Sequence, residues 1–283
     1  MAFRTLVDSD TLARHLGEAA WRLFDCRHDL ADPGLGERQY AEAHIPGARF
    51  AHLDRDLSAR PDGRNGRHPL PEADAFAAWL GQQGLKPGDQ VVAYDAGTGT
   101  MASRLWSMLR WIGHDAVAVL DGGFAKWRRE GRPLGSDAPA ATPTVYPGRP
   151  RAALQADAAF VAQRLGRQDI LLLDARSPER FRGDAEPIDP IAGRIPGAHN
   201  RYCSDNLGAD GCFESAEQLR REFAVQLAGR DPAEVVHYCG SGVAACHNQL
   251  AMEIAGLAGS RVYTGSWSEW IADPARPRLR GNS

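Results

Sequence analysis

Short runs of apolar residues alternate along this chain with longer segments in which apolar residues recur every three or four positions. The short runs predict strands that end at Asp25 and Asp174, and further strands over 90–94 and 234–238. The longer segments predict helices over 11–17, 100–112, 158–165, 216–227 and 245–255, with N-caps at Ser9 or Asp10, Asp157 and Ser215. Strands that alternate with helices form parallel sheets, so the pattern indicates an α/β fold with helices on both faces of a parallel sheet.

The same pattern occurs twice. HIPGARF at 44–50 matches RIPGAHN at 194–200, VVAYDAGTG at 91–99 matches VVHYCGSGV at 235–243, and DGGFAKW at 121–127 matches TGSWSEW at 264–270. These matches keep their order at nearly one offset, which predicts two tandem units. Residues 131–150 hold five prolines, a composition that favours an extended connector. We therefore predict domains over 1–130 and 151–283, joined by a linker over 131–150.

Composition narrows the possible partners. The 283 residues are 43% hydrophobic and 24% charged, which is typical of a globular protein long enough for two cores. A net charge of −3 gives no reason to expect a nucleic-acid partner. The first ten residues do not resemble a signal peptide, and no apolar run approaches the roughly 18 residues that cross a bilayer. We expect a cytoplasmic protein without a membrane partner.

The five cysteines form a sparse, odd-numbered set without zinc-ligand spacing, which predicts reduced thiols and no structural metal. Cys239 differs from the others because it follows an apolar strand and precedes Gly-Ser-Gly and a helix. Gly240 and Gly242 allow successive backbone N–H groups to turn inward, and the helix adds its positive end. Both effects favour a thiolate, so Cys239 is the candidate nucleophile.

Three other interpretations of this loop are less favoured. A buried structural cysteine is common, but it is seldom followed by Gly-Ser-Gly and a helix start. A phosphate-binding loop would carry a lysine and a fuller glycine pattern. A cysteine phosphatase usually places an arginine six positions after the cysteine to bind phosphate, whereas this chain has Ala245 there. The matching position of the first unit is Asp95, which we expect to be structural, so the first domain is predicted to be non-catalytic.

The motifs HIPGA, RIPGA, DAR at 174–176, FRG at 181–183, CGSGV at 239–243 and GSWSEW at 265–270 resemble those of two-domain rhodanese-like sulfurtransferases. The resemblance covers nearly the whole chain. The cysteine loop is most similar to that of the 3-mercaptopyruvate sulfurtransferase branch, since thiosulfate-using members carry basic residues directly after the cysteine. One departure is Ala244, where the family more often has threonine.

The resemblance implies a double-displacement reaction without an organic cofactor or metal. Cys239 would take sulfur from a small-molecule donor as a persulfide and pass it to cyanide, a small thiol or thioredoxin. Arg176 and Arg182 are the implied binding residues for the donor carboxylate, to which a guanidinium fork is suited. The backbone of Gly240, Gly242, Val243 and Ala244 would line the donor site. Ser241 with His68 and Asp54, the last two from the first domain, would form a proton relay to the leaving enolate.

Two alternatives remain open from the residues. Thiosulfate is the second candidate donor within the same enzyme class. A non-enzymatic scaffold is a different class of function, but the intact cysteine loop of the second unit argues against it. A degenerate domain would be expected to resemble the first half, with its Asp95.

Overall fold

The computed structural model describes residues 2–281 and contains two five-stranded sheets in which every strand pair is parallel. The first sheet has the order β1-β5-β4-β2-β3, with β1 (Leu6–Val7), β2 (Trp21–Asp25), β3 (Ala48–Phe50), β4 (Gln90–Tyr94) and β5 (Val117–Leu120). The second sheet repeats it as β6-β10-β9-β7-β8, with β6 (Gln155–Ala156), β7 (Leu171–Asp174), β8 (His199–Asn200), β9 (Val235–Tyr238) and β10 (Arg261–Tyr263). The predicted fold class is confirmed.

Helices connect the strands in both halves. The first half contains α1 (Ser9–Arg14), α2 (Leu35–Glu42), α3 (Ala73–Gln82), α4 (Thr100–Trp111) and α5 (Gly123–Arg129). The second half contains α6 (Ala158–Ala162), α7 (Pro178–Arg182), α8 (Ala216–Leu227), α9 (Ala244–Ile254) and α10 (Ser266–Trp270). The structure confirms Asp157 and Ser215 as N-caps. The predicted cap of α1 was wrong. The N-cap is Asp8, whose carboxylate accepts the Thr11 N–H, and the helix begins at Ser9.

The same buried contacts hold each sheet in register. In the first core the Ile45 N–H donates to the Tyr94 hydroxyl at 3.1 Å, and in the second the Ile195 N–H donates to the Tyr238 hydroxyl at 3.3 Å. Both tyrosines are fully buried, so each needs such a partner for its polar tip. The repeated motif IPGA therefore ties the segment before an edge strand, β3 or β8, to the central strand two places away in the sheet, β4 or β9.

The chain divides into two compact units that exchange short segments. The first unit comprises residues up to Ala59, Pro71–Arg151 and Ala209–Phe213, and the second comprises Arg60–Leu70, Ala152–Gly208 and the residues from Glu214 onward. This differs from the predicted boundaries, which follow the chain in order. Segment 209–213 begins 149 residues after Arg60, close to the offset of the sequence repeat, so the exchange is part of the duplicated pattern.

The proline-containing stretch 131–150 belongs to the first unit. It forms an isolated bridge between Gly135 and His44, and the Thr144 N–H donates to the Gly81 carbonyl at 2.8 Å. It contains no helix or strand of its own. Among the described residues, no helix is both long enough and apolar enough to cross a bilayer.

His237 is an unusual residue of the central strand β9. Its side chain is fully buried, and within residues 2–281 neither ring nitrogen has a hydrogen-bond partner. Burial lowers the pKa of His237 to about 3, because a charged imidazolium would have no solvation there. The native state therefore holds this ring in its neutral form.

We expect this burial to make the protein less stable in acid. The unfolded chain binds a proton at His237 below a pH of about 6.5 while the folded chain does not, so stability falls as the pH drops from about 6.5 towards 3. The loss attributable to this ring is roughly 3–5 kcal/mol over that range. Denaturant unfolding of the wild type and of His237→Leu, repeated across this pH range, measures it. The variant should lose less stability in acid, and parallel curves for the two proteins would contradict the assignment.

Candidate active site

Cys239 lies in the turn between β9 and α9, where backbone groups surround its sulfur. The Gly242 N–H donates to Cys239 Sγ at 3.1 Å, and the residue is 3% exposed. The Cys239 N–H donates to Ser266 Oγ at 3.1 Å, and its carbonyl accepts the Trp267 N–H at 3.0 Å. The start of α10 therefore fixes the backbone of the cysteine, while the turn before α9 presents the Gly242 N–H to its sulfur.

Two residues give this turn its shape. Gly242 has a φ of 80°, and a Cβ there would lie 2.1 Å from the Thr264 carbonyl oxygen, so only glycine fits. Ser266 has a φ of 54°, a left-handed conformation that is rare for a residue with a side chain. Its hydroxyl accepts the Cys239 N–H and donates to the Tyr263 carbonyl at 2.8 Å. Sequence reasoning missed Ser266, because a serine in a loop carries no local signal for this conformation.

The corresponding turn of the first unit shows what such a loop binds. The Asp95 carboxylate accepts the N–H groups of Gly97 and Gly99, both at 2.9 Å, and of Met101 at 2.8 Å and Ala102 at 3.3 Å. The turn therefore encloses an anion, which the chain supplies from its own side chain. Asp95 is structural, as predicted, and it occupies the place that a sulfur takes in the second unit.

Three of the remaining cysteines, Cys26, Cys203 and Cys246, have surroundings unsuited to nucleophilic chemistry. All five thiols are free and buried. Burial raises the pKa of Cys203 to about 12 and the pKa of Cys26 well above its usual range, so both stay protonated. Cys246 donates to the Gly242 carbonyl at 3.2 Å and thereby supports the loop from within α9.

Arg176 does not have the predicted role in ligand binding. Its side chain is 1% exposed, and it forms a bidentate pair with Asp174, the closest contact being 2.6 Å. Its other donors reach the Gly193 carbonyl at 2.8 Å and Glu186 at 3.3 Å. With every terminal nitrogen engaged and no exposed surface, the guanidinium cannot meet a donor carboxylate.

The first unit repeats this arrangement, which confirms a structural role. Arg27 pairs with Asp25 at 2.6 Å and donates to the Ala43 carbonyl at 2.7 Å. Each guanidinium lies over an aromatic ring, Arg27 over Phe124 and Arg176 over the Trp267 ring. An ion pair that is present beside both Asp95 and Cys239 cannot be specific to catalysis.

Arg182 also lies away from the cysteine loop. It pairs with Asp184 at 2.7 Å and lines an open cavity of about 620 Å³ together with Phe181, Arg194 and His199. Among the described residues that line this cavity, neither Cys239 nor a neighbour in its loop occurs. The structure therefore gives no support to the predicted contact between Arg182 and the donor.

Two other arginines face the loop. A Cβ on Gly240 would lie 2.9 Å from Arg67 Nη2, and 3.3 Å and 3.6 Å from Arg180 Nη2 and Nη1. Arg180 pairs with Glu186 at 2.7 Å and with the buried Asp189 at 3.1 Å, and Arg67 also pairs with Asp189. Sequence reasoning gave neither Arg67 nor Arg180 a role in donor binding. The spacing of α7 could not distinguish Arg180 from its neighbours, and Arg67 comes from the other half of the chain.

Ser241 and His68 are in contact, as predicted for the relay. His68 Nδ1 lies 2.8 Å from Ser241 Oγ, and both side chains are buried. His68 reaches this place on segment 60–70, which belongs to the second unit and not to the first domain as predicted. The Arg67 N–H donates to Ser268 Oγ at 3.1 Å, so α10 holds this segment directly before the histidine.

Asp54 belongs to the first unit. Its Oδ2 is 4.0 Å from His28 Nε2, and its N–H donates to His52 Nδ1 at 3.1 Å. The carboxylate is 40% exposed. Its place in the relay stays a prediction.

A family model described as Rhodanese-like domain matches residues 8–130 and 157–273. The chain belongs to this family. It carries two rhodanese-like domains, and the two matched ranges coincide with the two halves of the sequence repeat. The recognised resemblance is confirmed.

Individual relatives are similar over nearly the whole chain. A Pseudomonas aeruginosa protein named "Probable 3-mercaptopyruvate sulfurtransferase" is 48% identical and covers 100% of both chains. The Arabidopsis thaliana "Thiosulfate/3-mercaptopyruvate sulfurtransferase 2" is 33% identical over 98% of this chain and 87% of its own. The solved 3-mercaptopyruvate sulfurtransferase from Leishmania major is 31% identical, has a TM-score of 0.84, and covers 97% of this chain and 75% of its own.

We expect Arg176→Gln to unfold the protein far more readily than Arg182→Gln. Removal of Arg176 leaves a buried carboxylate without its partner, at a cost of about 3–5 kcal/mol in the free energy of unfolding. The half-exposed pair of Arg182 contributes only about 0–1 kcal/mol. Denaturant unfolding at pH 7 measures both, with Arg27→Gln as the matched variant in the first unit. A stable Arg176→Gln protein with a raised KM for its donor would restore the ligand-binding role.

Proposed function

We propose that this protein transfers a sulfur atom from 3-mercaptopyruvate to a thiophilic acceptor through a persulfide on Cys239, and releases pyruvate. The observation that carries the proposal is the anion-binding turn around Cys239, with the Ser241–His68 pair beside it. Relatives with names that specify this activity cover 100% and 97% of the chain, which supports the same assignment. Candidate acceptors are cyanide, small thiols and thioredoxin.

The first half-reaction uses the turn directly. The Cys239 thiolate attacks the donor sulfur, an S–S bond forms, and the C–S bond breaks to leave the enolate of pyruvate. The enolate takes a proton at carbon, and the outer sulfur remains on Cys239 as a persulfide. In this proposal the backbone at Gly240, Gly242, Val243 and Ala244 stabilises negative charge on the sulfur as it moves. Gly242 already donates to Cys239 Sγ, and Val243 matches Gly99, whose N–H donates to Asp95 in the first unit.

The second half-reaction returns the thiolate. The acceptor attacks the outer sulfur, the S–S bond breaks, and Cys239 leaves as the anion that the turn already stabilises. Neither half-reaction changes the overall number of electrons, so the scheme requires no redox cofactor.

Ser241 and His68 are suited to the proton that the enolate requires. The hydroxyl of Ser241 can donate a hydrogen bond towards the loop while its oxygen accepts one from His68 Nδ1, which lies 2.8 Å away. In this proposal Asp54 fixes the tautomer of His68. The carboxylate of the donor binds on the side of the loop where Arg180 lies, and this replaces the predicted pairing with Arg176 and Arg182.

We expect kcat/KM to favour 3-mercaptopyruvate over thiosulfate by at least about tenfold, equal to roughly 1.4 kcal/mol of transition-state discrimination. Thiosulfate is a compact dianion that is best bound by basic side chains directly after the cysteine, whereas Gly240 and Ser241 are neutral. The nearby Arg67 and Arg180 are already paired with the carboxylates of Asp189 and Glu186. Steady-state kinetics with each donor, with cyanide as the common acceptor, measure the ratio. A ratio in favour of thiosulfate would replace the donor in this proposal.

The persulfide itself is detected by intact-protein mass after incubation with each donor and no acceptor. The wild type should gain one sulfur atom and release pyruvate from 3-mercaptopyruvate, whereas Cys239→Ser should do neither while keeping its melting temperature. Cys212→Ser, which changes a cysteine of the first unit, is the matched control and should behave as the wild type. Sulfur gain in Cys239→Ser would assign the nucleophile elsewhere.

We expect His68→Ala to lower kcat with 3-mercaptopyruvate by about 100-fold, which is the usual contribution of a positioned acid or base. The loss with thiosulfate should be much smaller, because its sulfite leaving group requires no proton. His199→Ala alters an exposed histidine of the same unit and serves as the control. Equal losses with both donors would mean that His68 shapes the loop and transfers no proton.

A further inference from the structure

His28 is a buried histidine whose Nδ1 has no hydrogen-bond partner among residues 2–281. Its side chain is 2% exposed. Its other ring nitrogen, Nε2, lies 4.0 Å from Asp54 Oδ2, which is beyond hydrogen-bond distance. A buried polar group without a partner is costly, and a bound ion or water molecule is a common reason for one. The ring therefore indicates that a further group binds beside it.

Two other side chains of the kind that bind metals lie next to this ring. One ring nitrogen of His28, one of His52 and one carboxylate oxygen of Asp54 all lie within 4.8 Å of one another. The two rings meet edge to face, with 5.6 Å between their centroids. His237 is a useful comparison, because its ring also lacks partners but belongs to no such group among the described residues. The unsatisfied ring of His28 is thus distinguished by the ligand atoms around it.

The parallel strands β2 and β3 bring these three residues together. His28 lies just after the end of β2, and His52 and Asp54 lie just after the end of β3, its neighbour in the sheet. The carboxyl ends of parallel strands meet at one edge of a sheet, which is where ligands bind in such folds. The turn after β3 is fixed, because the His52 N–H donates to Asp56 Oδ2 at 2.8 Å and the Asp56 N–H returns to the His52 carbonyl at 2.9 Å. All of these residues belong to the first unit.

The ligand types indicate the class of metal. Two imidazoles and one carboxylate suit divalent transition metals, whereas Mg²⁺ and Ca²⁺ prefer oxygen ligands alone. Zinc binds such nitrogen and oxygen atoms at about 2.0–2.2 Å, so the three ligand atoms would approach one another by roughly 1 to 1.5 Å. The Asp54 carboxylate is 40% exposed and has room to move towards the rings. A water molecule would complete a tetrahedral set of four ligands.

The protonation of His52 is compatible with this role. Its Nδ1 accepts the Asp54 N–H at 3.1 Å, so the proton of the neutral ring is on Nε2. A metal at Nε2 would move this proton to Nδ1 and break the hydrogen bond, and a metal at Nδ1 would replace the hydrogen bond directly. In both cases the ring stays neutral, which is the form of histidine that binds metals.

We propose that His28, His52 and Asp54 form a site for a divalent transition-metal ion such as Zn²⁺. The inference goes beyond the proposed function, because the two half-reactions use no metal. It gives the first unit a binding role of its own, at the same edge of the sheet as the turn that Asp95 fills. Since the proposed function assigns Asp54 to the relay with His68, the site is tested by direct binding and not by activity.

The experiment is calorimetric titration of the untagged full-length chain with ZnCl₂. The parent protein carries Cys239→Ser, which removes the thiolate as a competing ligand, and it should bind one Zn²⁺ per chain. His28→Leu and His52→Leu should each weaken binding by at least about 100-fold, since even the loss of a group that only orients a ligand costs about 10- to 100-fold. His15→Leu is the matched control, because it removes a first-unit histidine that pairs with one carboxylate, Glu18, at 2.8 Å. It should bind zinc as the parent does.

Two further measurements separate metal binding from effects on folding or on cysteines. Without metal, His28→Leu should melt at or above the parent temperature, because it removes an unpaired buried nitrogen, and zinc should raise the melting temperature of the parent only. Co²⁺ should give visible ligand-field bands without the intense thiolate-to-cobalt band of a cysteine ligand. If His28→Leu fails to fold, His52→Leu decides by the same titration.

Three results would overturn the proposal. The first is an equal zinc affinity in the parent and in the two histidine variants. The second is a thiolate-to-cobalt band, which would place the ion on a cysteine. The third is the absence of saturable zinc binding by the parent, which would leave a water molecule as the partner of the His28 ring.

Discussion

One requirement is common to both halves of this protein: a turn whose backbone N–H groups point inward must enclose a negatively charged group. The turn forms wherever the central parallel strand ends and a helix begins, since the backbone there has donors without partners. In the first unit the Asp95 carboxylate takes four of these donors, and the turn is closed to any ligand. In the second unit Cys239 occupies the position that matches Asp95, and its sulfur accepts a hydrogen bond from the Gly242 N–H. The residue at this repeated position, aspartate or cysteine, thus distinguishes the turn that is filled by its own carboxylate from the turn that presents a sulfur.

The buried ion pairs beneath the turns explain why the duplicated scaffold tolerates this difference. Asp25 with Arg27, and Asp174 with Arg176, pair at the ends of equivalent strands and also bind the loop that precedes the next strand. A buried pair of this kind is costly to break, because the remaining charge has no solvent. The pairs therefore keep the strand ends in place irrespective of what fills the turn, and the chemistry can change without a change of fold.

The active site also depends on an exchange of segments. Residues 60–70 lie between β3 and β4 of the first sheet in the chain but belong to the second unit. Residues 209–213 lie between β8 and β9 of the second sheet but belong to the first unit. In the second unit the exchanged segment supplies His68 to Ser241 and Arg67 to Gly240. In the first unit the matching segment places Phe213 against Gly99, 3.2 Å from where a Cβ would project, in the loop that Asp95 already fills. The same exchange therefore completes a site in one unit and closes a turn in the other.

The sequence by itself determined the parallel α/β class, the duplication, several element bounds and the nucleophile, because apolar periodicity and the Gly-Ser-Gly turn are local and survive without tertiary context. It also identified Ser241 and His68, although that depended on family resemblance. Only the tertiary structure decided which arginines are available. Arg176, Arg180 and Arg182 lie on one short stretch, but each has a different set of partners. Asp174 pairs with Arg176, Glu186 and Asp189 pair with Arg180, and Asp184 pairs with Arg182. Arg67 comes from a different half of the chain, and no local pattern records which distant charges a fold brings together.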